Sequence, residues 1–247
     1  MSTYRERLLE EIEQSRKEQA ESSRIFLDAS RSEDERLAAA ENLAPLQEEA
    51  EVETALALVR NVDESDAMRA IALHRLVDVV GHDEDLLQYT VELVAGSDVP
   101  ADLRNSAAMV LQTMRFSSPL YAAHRPAIQA ALRSAVDHEN EALRSACIEY
   151  LAIDKDEYVQ RRLLEGLQDE KQELVKPEVA VQLLAYDLHA DHYPVLRHLA
   201  EHPPNPRCQQ EALRHLGTDP EAKDLLLQTL REKKEDPETR HICAVAL

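Results

Sequence analysis

A chain of 247 residues with 44% hydrophobic side chains can bury a sizeable core, but aromatics are only 4% and Trp is absent, so that core must come from Leu, Ala, Val and Ile. The formal net charge of −20, from 48 acidic against 28 basic residues, opposes a phosphate backbone as the main partner. Four Gly leave little provision for tight hairpin turns or phosphate-cradling loops, and no apolar run is long enough to span a bilayer.

In chain order, residues 2–17 are too charged for a signal peptide. They open a long helix expected over 3–29, with Thr3 and Glu6 reading as a capping box, followed by a helix at 33–44 started by Ser32 with Glu35. Helix pairs are then expected at 47–61 with 64–80, 83–95 with 99–115, and 118–136 with 139–153. Three more follow at 156–168 with 177–188, 192–201 with 206–216, and 220–233 with 237–247. Asp219-Pro220, Asp236-Pro237 and Asn205-Pro206 place a capping side chain before a Pro at the first helical position, and Lys176-Pro177 is a variant. A loop is expected at 171–176 and a stiff one at 202–206.

One pattern recurs in the second member of each pair. A basic residue is followed by small or apolar residues three and four places on and by Leu at seven. Arg36, Arg69, Arg104, Arg144 and Arg240 begin five such copies. Gln209 and Ala180 begin two degenerate ones. Starting positions are 29 to 40 residues apart, enough for two short helices and two turns. Offsets three, four and seven share one helical stripe, and small residues there let a neighbouring helix come close. Ala72, Ala107, Cys147, Leu183, Ala212 and Cys243 are therefore expected to be buried equivalents.

The Asp-Pro-x-apolar-Arg-x-x-Ala arrangement resembles the second helix of HEAT repeats, especially the short bacterial kind found in phycobilin lyases. The resemblance covers nearly the whole chain. It implies an all-α fold, a right-handed α-solenoid of about seven HEAT-like hairpins forming a single domain over 1–247. Such arrays serve many roles, so the resemblance selects no activity. Relatives with a di-iron centre carry repeated His-Glu dipeptides, but here only His138-Glu139 has that form, and Ile242 follows His241 where a Glu would stand. Relatives that act on DNA use a basic surface with Trp, which the composition opposes. The reading that follows is a non-enzymatic scaffold or adaptor for a peptide or protein, needing no cofactor, nucleic acid or membrane. The alternative is a HEAT-type enzyme, or a chaperone-like lyase handling a small molecule or metal.

No Ser-His-Asp, Walker or dinucleotide motif is visible, and no catalytic residue is assigned. The densest chemistry is the run His189, His192, His198 and His202 with Asp187 and Asp191. His198 and His202 are four apart on a helix and could share a metal with Asp191 or His192, but no recognised ligand spacing is completed. Cys147, Cys208 and Cys243 form no CxxC pair and sit in apolar patterns, as expected of reduced thiols in a cytoplasmic protein.

If offsets three, four and seven face inward, offsets two, five and nine of the second helices face outward. They give Ile71, His74, Asp78, Met109, Thr113, Glu149, Ile153 and His189, with Tyr150 and Tyr186 flanking at offset six. This mixture of apolar, aromatic and acidic groups would suit a peptide with apolar anchors and basic flanks. The last residues, 241–247, are mostly apolar and lack a capping Gly. Either the chain is a fragment of a longer array, or its C-terminal face packs on another molecule, or the last helix folds its stripe fully against the helix at 206–216. The first two lead to an apolar patch at 220–247 and a more polar surface at the N-terminal helix, and the exposure of Ile242, Val245 and Leu247 decides.

Overall fold

The computed structural model describes residues 4–247. The fold is all-α: 74% of the chain is helical, and no strand occurs among the described residues. The chain divides into two compact units, 1–146 and 147–247. The first contains α1 (Tyr4–Leu27), α2 (Glu33–Ala40), α3 (Glu49–Arg60), α4 (Asp66–Arg75), α5 (Val77–Val80), α6 (Glu84–Ala95), α7 (Ala101–Met114) and α8 (Tyr121–Arg133). The boundary falls within α9 (Glu141–Ile153). The second contains α10 (Glu157–Gln168), α11 (Pro177–Leu184), α12 (Tyr193–Glu201), α13 (Pro206–His215), α14 (Lys223–Arg231) and α15 (Pro237–Ala246).

Both units are built from helical hairpins. In the first, α1 packs on α2, α3 on α4 and α6 on α7, while α4 touches both α2 and α7. In the second, α10 packs on α11, α12 on α13 and α14 on α15, while α13 touches both α11 and α15. All six residues expected at the plus-three position are buried: Ala72, Ala107, Cys147, Ala212 and Cys243 completely, Leu183 nearly so. Gly217 shows how tight the fit becomes. A Cβ there would sit 2.8 Å from the carbonyl oxygen of Ala246, so α15 reaches the Leu216–Thr218 turn only because that position has no side chain.

The recurring Arg has a structural task. It is the fourth residue of its helix, and its guanidinium reaches back ten residues to the preceding helix. Arg36 Nε donates to Phe26 O at 2.9 Å, Arg69 to Val59 O, Arg104 to Val94 O and Arg240 to Leu230 O, each of these three at 3.0 Å. Each acceptor is the penultimate residue of its helix, where carbonyls have no partner within the helix. Gln209 does the same with its amide, donating to Ala200 O at 3.2 Å. Arg144 departs from the pattern and donates to His138 O and Glu139 O. Arg36, Arg69 and Arg104 are buried.

Capping follows the sequence closely. Ser32 and Glu35 form the expected box, and Asn205 and Asp236 cap α13 and α15. Thr3, the other half of the box expected with Glu6, lies outside the described residues. Asp219 caps a short 3-10 turn, Pro220–Ala222, rather than α14 itself. The helix expected over 64–80 breaks at Leu76, between α4 and α5, where Arg75 Nη2 bonds Ala40 O at 2.8 Å. The helix expected to 188 stops at Leu184 and tightens into a 3-10 turn, Ala185–Asp187.

The two ends of the described chain are not as different as their sequences suggest. In α15, Ile242 is buried, but Val245 and Leu247 are 74% and 49% exposed. The N-terminal helix was expected to be polar, yet α1 exposes Tyr4, Leu8, Leu9 and Ile12. Only its C-terminal part packs on α2 and α3, so the apolar stripe continues past its neighbours.

Two stability predictions follow from this packing. Arg104→Met should cost about 2–4 kcal/mol, because it removes a charge-assisted bond and leaves Val94 O unpaired in a buried setting. Arg104→Gln, imitating Gln209, should recover part of that loss in urea unfolding. Ala107→Leu should overpack the contact between α4 and α7 and cost about 1–3 kcal/mol by the same measurement.

Candidate functional site

The outward stripe divides between the two units. In the first unit, Ile71 and His74 on α4 are half-buried, Met109 and Thr113 on α7 are exposed, and Asp78 on α5 is exposed. Helices α4 and α7 lie side by side, tied by Ser106 Oγ to Ala70 O at 2.7 Å. Along α7 the neighbours Ala108 and Val110 are buried, which leaves Met109 as the apolar group turned outward. The Thr113 hydroxyl donates to Met109 O at 3.0 Å, so it is already engaged by its own helix. Burial lowers the pKa of His74, with Arg75 adding to the effect, and keeps the ring neutral near pH 7.

In the second unit, Glu149 and His189 are exposed, Ile153 is half-buried, and Tyr186 is 48% exposed on the turn after α11. Tyr150 departs from expectation: it is fully buried and belongs to the core. Offset six lies roughly 110° from the middle of the inward stripe, at 100° per residue. A helix with neighbours on two sides buries more than one stripe, and Val110 at the same offset is also fully buried.

Beside Tyr186, Asp187 receives Lys155 Nζ at 3.2 Å and His189 Nε2 at 3.0 Å. Burial alone would raise the Asp187 carboxyl, but the bonds from Lys155 and His189 outweigh it and hold it below the ordinary carboxylate range. Lys155 has φ of 57°, the left-handed region that a non-Gly residue enters at a cost of roughly 1 kcal/mol or more. It terminates α9, with its N–H bonded to Ala152 O. Nothing in the sequence marked Lys155, because its partner lies in a different hairpin.

The His run separates into two contacts. His189 and His192 pack edge to face, with ring centroids 5.4 Å apart, and His192 Nδ1 accepts the His189 N–H. His198 and His202 stack at 4.9 Å on α12 and the residue after it. Asp191 is exposed, and among the described residues no three His, Cys, Asp or Glu side chains converge as a metal ion would need. His192 is buried, and burial lowers its pKa. Burial shifts His215 in the same direction.

These three His set a pH dependence. Their folded pKa values lie below the unfolded value of about 6.5, so the unfolded chain binds more protons as pH falls through that value. Stability is therefore fully present above about pH 7 and declines toward pH 5.5. The urea midpoint should fall across that window, and His192→Gln should flatten the decline. No protein-family model, curated protein or solved structure matches the chain.

Proposed function

We propose that the helical hairpins of both units are HEAT-type repeats of an α-solenoid, and that the chain is a non-enzymatic scaffold binding a peptide or protein. The observation that carries this reading is the surface shared by α4 and α7. Two packed second helices bury their small-residue stripes and leave Ile71, His74, Met109 and Thr113 on one outward face. Met109 supplies an adaptable apolar contact. In the second unit, Glu149, Ile153, Tyr186 and His189 offer a face of similar mixed chemistry. The net charge of −20 favours a ligand with basic residues flanking its apolar anchors.

This reading puts the chain in the cytoplasm, with Cys147, Cys208 and Cys243 reduced. All three are buried, and burial pushes the Cys208 thiol up to about 11. Among the described residues no helix is long and apolar enough to cross a membrane.

Panning a random peptide display library on the folded chain tests the reading. Enriched peptides should carry Lys or Arg around one or two large apolar residues. Met109→Glu with His74→Ala, or Glu149→Lys with Tyr186→Ala, should weaken binding about tenfold or more while the chain stays folded by circular dichroism. Enrichment of no peptide, or equal binding to both double variants and the parent, would remove the basis for a scaffold on these faces.

A further inference from the structure

We propose that α1 is a self-association element, pairing in parallel with α1 of a second copy of this chain. Leu8, Ile12, Ser15 and Gln19 follow one another at four, three and four residues, the spacing of a coiled-coil seam. The far end of this line is occupied within the chain. Phe26, seven residues beyond Gln19, is buried, as is Ser23 on the flank that carries Leu9 and Arg16, and Gln19 bonds Asn42 O at 2.8 Å and the Ala44 N–H at 2.7 Å. The near end is open: Leu8 and Ile12 are each 43% exposed and Leu9 is 56% exposed.

The charges beside the seam select the occupant. Tyr4, Glu11 and Glu18 line one flank, and Leu9 and Arg16 line the other. In a parallel pair the first flank of one helix meets the second flank of its partner, five residues further on. That places Glu11 against Arg16 and Tyr4 against Leu9, twice over by symmetry. An antiparallel pair would set Glu11 against Glu11. Among the described residues, neither Glu11 nor Arg16 has an ion-pair partner within the chain, whereas Lys17, on the opposite face, is paired with Glu13 at 2.8 Å. Glu11 and Arg16 thus form a complementary pair beside the seam.

The open stripe is smaller than the roughly 800 Å² per partner of a standard interface, so the dimer forms with concentration rather than permanently. Sedimentation velocity on the full chain from ~10 µM to ~1 mM should show a monomer–dimer equilibrium. Leu8→Glu with Ile12→Glu should leave a monomer throughout, with unchanged helicity because both positions are exposed. Glu11→Arg should raise the dissociation constant about tenfold, and adding Arg16→Glu should restore it. In a separate experiment, Leu8→Cys should form an intermolecular disulfide under mild oxidation much faster than Glu13→Cys, because parallel pairing sets Leu8 against its own counterpart. A monomer at ~1 mM would overturn the proposal. So would a dimer indifferent to the Leu8 and Ile12 changes, failure of the charge exchange to restore pairing, or equal oxidation of the two Cys variants.

Discussion

The constraint on which the hairpins depend is the bond from the fourth residue of a second helix to the penultimate carbonyl of the first. A cation three residues inside a helix N-terminus is poorly placed for its own helix, whose dipole is positive there. It is well placed for the preceding helix, whose C-terminus is negative and carries unpaired carbonyls. Arg36, Arg69, Arg104 and Arg240 each satisfy one of them. The ten-residue span fixes how the chain turns between the helices, and the long Arg side chain covers the junction with its methylenes. Gln209 keeps the geometry without the charge. In these five hairpins the hydrogen bond is therefore the constant element, and the cation strengthens it.

That junction explains the small residues around it. With the turn fixed, the stripe three and four places beyond the Arg is pressed against the neighbouring hairpin, and Ala72, Ala107 and Ala212 fill it without displacing the backbone. The core can then be built almost without aromatics, since closeness of helices replaces bulk of side chains. The device lapses at two consecutive positions, Arg144, which bonds loop carbonyls instead, and Ala180, which has no donor. These lie on either side of the division at 146 and 147.

What was legible in the sequence was local. Helix starts followed from Ser32, Asn205 and Asp236, whose partners lie two or three residues away. The inward stripe followed from spacing alone. The Arg was visible as a repeated letter, but its acceptor was not, because a backbone carbonyl leaves no mark on the sequence. Tyr150 was misplaced for a related reason. Periodicity gives the direction a side chain points and says nothing of how many neighbours surround the helix. The same blindness hid the open face of α1, where an apolar stripe reads identically whether or not anything covers it. The pairing of Lys155 with Asp187 was silent because two residues far apart in sequence define it.

The two exposed features, the outward faces and the α1 stripe, bear on one another through valence. A single face built from Ile71, His74, Met109 and Thr113 offers few large apolar contacts, so a peptide seated there would be held weakly. Parallel pairing through α1 would join two chains with their helices in the same direction and present two copies of each face. A ligand with two basic-apolar motifs would then bind its second site at an effective concentration set by the connecting segment. Weak contacts at each face would become useful affinity only in the paired state. On this logic the concentration dependence of α1 pairing and the sharpness of ligand capture are the same property, and substitutions at Leu8 or Ile12 would lower avidity for bivalent ligands while leaving monovalent binding at Met109 untouched.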